Sequence, residues 1–351
     1  MHFAFKILQG SLDQGSRSHM MFRCALVSSF VWCIFAARQP FAEITNMPKK
    51  MREKMVRICH IVEDVSEYYE VEGELGKGTF GKVWLARERE TNEPVAIKQM
   101  ARDERNWNSP FNLNVEKEVR IMKMVSGSDC VVNFKFAFHD MATSFFVVME
   151  YFPRGSLSAY SYLSDNPGGP KDMAVKDMKT VFESVVRGLR HIHRLGVIHR
   201  DIKPENIMLT GEEGKPFGTK LIDFGLAEDN DDARATGRVG TVYYMAPEIV
   251  SDKNVSYGPE VDVWSVGVTV MSLFCNPYPG APSTNARMIK MMKKASKLPF
   301  AKKALISDKF LENIARRCLV RDPRKRSSAE DLVSLFADHF DADEGSRKEK
   351  I

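Results

Sequence analysis

Asp201, Lys203, Asn206 and Asp223 fall within one short span, in His199-Arg200-Asp201-Ile202-Lys203-Pro204-Glu205-Asn206 and Asp223-Phe224-Gly225. A carboxylate there can accept a proton and a lysine can offset anionic charge, while the oxygens of Asn206 and Asp223 suit a hard cation such as Mg²⁺. Upstream, Gly76-Lys77-Gly78-Thr79-Phe80-Gly81-Lys82-Val83 has glycines where a backbone could approach phosphates without a Cβ clash, and Val95-Ala96-Ile97-Lys98 adds a second lysine. A phosphate cover, cations, metal-binding oxygens and a base are the parts that phosphoryl transfer requires. Each alone has a plainer reading as a hairpin turn, a helix cap or a solvated charge. Their occurrence together, in this order, argues for shared chemistry.

Such residues need elements to aim them. Residues 68–98 show short β-type runs separated by turns, which predicts three antiparallel strands, with Val83-Trp84-Leu85 leading out of the glycine loop. Residues 115–125 have helical spacing, with Val115, Val119, Met122 and Val125 along one side. Two more strands are predicted around 131–138 and 145–150. Beyond Gly155 the pattern is mainly helical: 176–195 is amphipathic, and 261–274 is apolar on nearly every face, as expected of a buried helix. Sheet first and helices afterwards predict an α+β chain of two unequal lobes with a cleft between them. The expected boundaries are an extension over 1–68, a domain over 69–340 (69–151 the sheet lobe and hinge, 152–340 the helical lobe), and a charged, frayed tail over 341–351.

The motifs together resemble the signature set of eukaryotic protein kinases, in the family's order and at its spacing. The resemblance implies a bilobal kinase fold, ATP and Mg²⁺ as cofactors, and protein substrates phosphorylated on Ser or Thr. It makes Asp201 the base and lets Lys203 steady the moving phosphoryl group, with Asn206 and Asp223 holding the metal. Lys98 would meet the α- and β-phosphates and pair with a helix glutamate. Glu118, in Glu118-Val119-Arg120-Ile121-Met122, is favoured for that role over Glu116, which reads as an exposed helix charge. The ATP site would comprise Gly76, Lys77, Gly78, Thr79, Phe80 and Gly81, with Val83, Ala96 and Met208 around the adenine, Met149 as gatekeeper, and Glu150-Tyr151-Phe152 as hinge. Met122, Phe134, His199 and Phe224 would stack as a column. Asp262 would hold the backbone of the catalytic loop, and Glu248 would pair with Arg326.

Lys203-Pro204-Glu205 and Gly240-Thr241 resemble serine/threonine rather than tyrosine kinases, with Thr241 bonding near Asp201 and Lys203. Arg200 would grip a phosphate on the following loop, with Thr236 the acceptor for an upstream activating kinase. The acidic run from Glu228 to Asp232 either partly substitutes for that phosphate or is a solvated loop. The 210–220 connection, Gly240-Thr241-Val242-Tyr243-Tyr244-Met245-Ala246-Pro247-Glu248 and Trp264-Ser265-Val266-Gly267-Val268 resemble the calcium/calmodulin-dependent and calcium-dependent kinase group. The chain has no EF-hand pattern, and Ser156 stands where many basophilic members carry glutamate. Glu205 is the remaining reader of arginine. A catalytically weak or inactive kinase-fold scaffold is the rival reading. Such proteins usually lack the lysine, the base or the metal aspartate, and Lys98, Asp201 and Asp223 are all present. A small-molecule phosphotransferase of related fold is opposed by Ala246-Pro247-Glu248 and its arginine.

The 351 residues, 44% hydrophobic and 28% charged, suffice for two cored lobes, and a net charge of +5 does not call for nucleic acid. The six cysteines show no metal-ligand spacing and read as reduced thiols, which favours the cytoplasm. Residues 24–37 form an apolar run followed by Lys49, Lys50, Arg52, Lys54 and Arg57. Its length suits a signal-peptide core or a buried or interfacial segment better than a spanning helix. Membrane anchoring or secretion through it stays open beside a plain leader.

Overall fold

The computed structural model describes residues 60–61, 65–78, 81–101, 109–139, 144–163, 170–211, 217–229, 234–251, 255–278, 284–294 and 306–348. The apolar run, the basic stretch behind it, and the loop tip at Thr79 and Phe80 lie outside the described residues. So do Asn230 to Ala233 and the last three residues of the expected tail.

The chain divides into two compact units. The first comprises the described residues up to Asn112 together with Lys135–Val148; the second comprises Leu113–Phe134 and everything described from Met149 onwards. In the first, strands β1 (His60–Ile61), β2 (Tyr69–Gly78), β3 (Gly81–Glu88) and β4 (Pro94–Ala101) precede helix α1 (Pro110–Val125), and β5 (Phe134–His139) and β6 (Ser144–Glu150) follow it. They form one sheet in the order β1-β5-β6-β4-β3-β2. The five strands expected from sequence are present. The short edge strand β1, paired parallel to β5, lies ahead of the expected domain start.

The pleat sorts this sheet's side chains. Successive residues of a strand face opposite ways, so Val95 and Ile97 join Tyr69, Ala86, Phe138 and Val148 in a buried apolar cluster. Ala96 and Lys98 take the other face. Val83 lies directly opposite Lys98, and Leu85 opposite Ala96, and directly opposed side chains share a face. The sheet thus gathers Val83, Ala96 and Lys98 on one side, next to the glycine hairpin in which Gly76 opposes Val83 and Gly78 opposes Gly81.

In the second unit, α1 is joined by α2 (Val175–Arg194), β7 (Val197–Ile198), β8 (Ile207–Thr210), β9 (Gly218–Leu221) and β10 (Glu228–Asp229), then α3 (Pro247–Ser251), α4 (Glu260–Ser272), α5 (Asn285–Lys294), α6 (Lys309–Cys318) and α7 (Ala329–Lys348). Strand β7 pairs with β10 and β8 with β9, each antiparallel. Every residue of α4 from Val261 to Ser272 is buried, as its apolar composition predicts. Its Trp264 sits in a core shared with Tyr244, Met245, Ile249, Tyr257, Val268 and Tyr278.

Helix α1 spans the division between the units, and His191 Nε2 lies 2.9 Å from the Val125 carbonyl at its last turn. One expectation is corrected, that of a tail frayed from 341: α7 continues through Lys348. Ser328 and Asp331 start it, exchanging bonds of 2.8 and 3.2 Å in a capping box, and a helix once nucleated extends at little cost per residue. Among the described residues, Cys130, Cys275 and Cys318 take part in no disulfide. Among the described residues no helix is long and apolar enough to cross a membrane.

Candidate active site

The catalytic loop runs from β7 to β8, and its shape is held from beneath by one buried carboxylate. Asp262, in the first turn of α4, accepts from the backbone N–H of His199 and of Arg200, both at 2.8 Å, and lies 2.9 Å from His193 Nε2. Burial alone pushes the Asp262 carboxyl upward. The His193 hydrogen bond and charge, with His199, reverse this and hold it below the usual carboxylate range. An ionised Asp262 can therefore fasten a loop in which Arg200 takes a left-handed φ of 67°, a conformation that persists only where the surroundings impose it. Asp262 thus meets two backbone N–H groups of the loop, while His193 went unnoticed in the sequence. Its signal was a histidine six residues ahead of His199, on the helix that leads into the loop.

Asp201 projects from this loop and is almost fully buried. Its Oδ1 accepts from the Thr241 N–H (3.0 Å) and the Thr241 hydroxyl (2.8 Å). Its Oδ2 accepts from Asn206 Nδ2 (3.0 Å) and lies 2.7 Å from Lys203 Nζ. The Thr241 hydroxyl donates its single proton to Asp201, so it can only accept from Lys203 Nζ, at 2.9 Å. Asp201, Lys203, Asn206 and Thr241, drawn from two segments some forty residues apart, therefore form one network around one carboxylate.

The Asp223 segment docks on the same loop. The Ile222 N–H donates to the Asn206 carbonyl at 3.0 Å, and His199 Nε2 lies 2.9 Å from the Ile222 carbonyl. Because Asp201 N–H donates to His199 Nδ1, the imidazole donates from Nε2. Asn206 spends its amide nitrogen on Asp201, which leaves its Oδ1 as the acceptor end. That oxygen and the Asp223 carboxylate, at a left-handed φ of 62°, are a hard-donor set suited to Mg²⁺ shared with phosphates. The rings of His199 and Phe224, two members of the expected column, meet at 5.0 Å. Met122 is buried. The half-buried Phe134 carries Lys123 Nζ over its ring at 5.3 Å.

Glu116 departs from its expected exposure. Glu116 is 8% exposed and Glu118 4%, both buried, because α1 buries a broad face comprising Val115, Glu116, Glu118, Val119, Ile121, Met122 and Val125. Burial therefore does not separate the two as partners for Lys98, itself buried. The glycines also separate by cause. A Cβ on Gly76 would meet nothing within 4 Å, whereas one on Gly81 (φ 144°) would lie 1.9 Å from the Gln99 carbonyl oxygen. Gly81 is thus demanded by the sheet itself. At the hinge, Glu150 accepts from Lys220 Nζ at 2.7 and 3.0 Å and from the Asn133 N–H, so its side chain ties hinge to strand β9. Phe152 is buried, and Met208 forms a bridge with Ser156.

Further out, Glu248 and Arg326 make the expected pair, at 2.8 and 3.1 Å. Arg200 meets the loop after β9 through carbonyls and a carboxylate: Leu226 O at 2.6 Å, Thr236 O at 3.4 Å and Glu228 Oε2 at 3.0 Å. Thr236 itself is exposed. Lys117 and Arg120 of α1, which no motif singles out, also reach this loop, at Glu228 and Asp229. Their spacing of three does place them on one side of the helix.

Gly240 supports the whole network. At φ 110°, a Cβ there would lie 2.3 Å from the Arg200 carbonyl oxygen. Gly240→Ala is therefore expected to push Thr241 off Asp201 and to lower kcat at least tenfold, each hydrogen bond to a charged group being worth ~1.5–3 kcal/mol. Initial-rate kinetics alongside circular dichroism would separate this local effect from unfolding.

Residues 69–335 match the protein kinase domain family, and the chain belongs to it. Calcium-dependent protein kinase 27 of Arabidopsis thaliana is 29% identical over 272 residues, which make up 77% of this chain and 54% of that protein. The chain spans about half the length of that curated relative. The match agrees with the resemblance to the calcium-dependent kinase group read from the motifs.

Proposed function

We propose that the chain is a serine/threonine protein kinase that transfers the γ-phosphoryl group of Mg-ATP to hydroxyls of protein substrates. The observation that carries the reading is the Asp201 carboxylate, ringed by Thr241, Asn206 and Lys203. Family membership implies ATP as phosphoryl donor and proteins as acceptors. The named protein kinase activity of the Arabidopsis relative supports the same assignment.

In the proposed reaction the acceptor oxygen attacks the γ-phosphorus, the bond to the β-phosphate oxygen breaks, and ADP leaves. The hydroxyl proton passes to Asp201 as the new O–P bond forms. Lys203, a point charge on a flexible stem, turns from Asp201 towards the transferring oxygens, which frees a lone pair on Oδ2 for the acceptor hydroxyl. Thr241 keeps Oδ1 engaged throughout, so the carboxylate cannot rotate away. Lys98, on the same sheet face as Val83 and Ala96, is assigned to the α- and β-phosphates, with Glu118 as its partner. The glycine hairpin is assigned to cover the phosphates. Mg²⁺, held by Asn206 and Asp223, would offset phosphate charge. Phosphoserine and phosphothreonine are the expected products.

Transfer of label from [γ-³²P]ATP to a generic basic protein tests this, with wild type set against Asp223→Asn. Label in the wild-type reaction, and loss of at least a hundredfold in the variant, is expected from removal of a metal ligand at the reacting phosphates. Equal transfer by both proteins would refute the metal assignment, and no transfer by either would refute the activity.

A further inference from the structure

The segment from Asp223 to Glu248 is anchored on both sides of its undescribed centre by groups belonging to the chain itself. On the near side, β10 sets Glu228 opposite Ile198 and Asp229 opposite Val197, beside the catalytic loop. Glu228 Oε2 accepts from Arg200 Nη2 at 3.0 Å and from Lys117 Nζ at 3.2 Å. Asp229 accepts from both terminal nitrogens of Arg120, Oδ1 from Nη2 at 3.0 Å. Lys117 and Arg120 flank Glu118 on α1. The Arg200 side chain is only 7% exposed, so its charge is poorly screened and a counter-charge there matters more than on an open surface.

The far side is held without acidic side chains on the loop. Ala235 and Tyr257 exchange backbone hydrogen bonds of 2.8 and 2.9 Å, and the Tyr257 hydroxyl donates to the Gly237 carbonyl at 2.9 Å. Arg234 donates to Ser256, and Arg238 to the carbonyls of Ile249 and Val250. Thr236, between these anchors, accepts from Arg200 Nη1 through its carbonyl at 3.4 Å.

Arg200, Lys117 and Arg120 are the cations that would otherwise call for a phosphate as shared counter-ion. Here two strand carboxylates meet them. The geometry points to Glu228 and Asp229 as positioning residues that hold α1 on the catalytic loop, so that phosphoryl transfer does not depend on phosphorylation of Thr236. The inference rests on the kinase reading and names how that site is kept assembled. A phosphate brought to Arg200 would meet the Glu228 carboxylate as a like charge, and so would gain little.

The test uses the full chain treated with phosphatase and shown by mass spectrometry to be unmodified at Thr236. Two readouts are taken: initial rates on a Ser/Thr-containing basic protein, and hydrogen exchange of the α1 amides. The treated wild type is expected to keep its untreated rate and its α1 protection, and Thr236→Ala is expected to behave the same way. Glu228→Gln combined with Asp229→Asn should lower kcat about tenfold or more, within the range of measured coupling between sites, with α1 exchange accelerated. The charge swap Arg120→Asp with Asp229→Arg should recover more of kcat than either single change, with the melting temperature the same in all three, which a loss of folded protein would not produce. Loss of rate on phosphatase treatment, regained only with Thr236 phosphorylated, would overturn the inference and leave the kinase reading intact. Unchanged α1 exchange in the Glu228→Gln, Asp229→Asn protein would also overturn it. No transfer from any preparation, with α1 exchange responding as described, would instead refute the kinase reading and support the positioning role.

Discussion

Asp201→Asn is expected to lower kcat by about 10²–10⁴-fold, the usual contribution of a positioned base, with the KM for ATP little changed. Asparagine fills the same space, so the loop should stay folded. The chemistry does not survive the exchange. All four groups that meet the carboxylate are donors: Thr241 N–H and hydroxyl on one side, Asn206 Nδ2 and Lys203 Nζ on the other. Whichever way an amide turned, its NH₂ would face donors, and no atom would remain to take the acceptor's proton. Steady-state rates on a serine-containing peptide check this. Wild-type kcat in the variant would remove Asp201 from the mechanism.

Arg326→Met should cause the largest loss of stability. The Arg326 guanidinium is 0% exposed. It bonds bidentately to Glu248, donates to the carbonyls of Val320 (3.0 Å) and Glu260 (2.7 Å), and lies 5.1 Å from the centre of the Trp264 ring. Removing it strands a mostly buried carboxylate and two carbonyls. Breaking a buried pair in this way costs ~3–5 kcal/mol, or roughly 6–20 °C in the melting temperature of a unit this size. Glu248 stands at the head of α3 and Glu260 at the head of α4, so the loss should reach the segment that presents Thr241. The double change Glu248→Leu with Arg326→Met, which strands no charge, should cost less than Arg326→Met alone. Calorimetry of the three variants decides the matter. A single-variant loss within error of zero would mean that the pair carries no net stability.

The legible part of this molecule was the part written in contiguous residues. Asp201, Lys203 and Asn206 lie within six positions, and Asp223 follows after one strand pair, so their convergence needs only a loop and a hairpin. The pleat likewise fixes Val83, Ala96 and Lys98 on one face once β3 and β4 are registered. What sequence could not supply was pairing across long separations. Arg120 meets Asp229 109 positions away, and Lys117 meets Glu228 after 111, contacts created by where β10 lies and not by any local pattern. Burial was misjudged for the same reason. Glu116 looks like a solvent-facing helix charge until α1 is seen to be covered on a wide face. Gly81 looked like a phosphate-binding glycine, yet the close approach of the Gln99 carbonyl already excludes a side chain there. The tail looked frayed because it is charged, but a helix begun by a sound cap can carry polar turns.

The most direct measurement is the identity of the phosphorylated residue. Acid hydrolysis of a mixed protein substrate labelled from [γ-³²P]ATP, resolved into its phosphoamino acids, should yield phosphoserine and phosphothreonine with the wild-type chain. Neither should form above background with Asp201→Asn. Label on tyrosine alone, or equal label with the two proteins, would contradict the account.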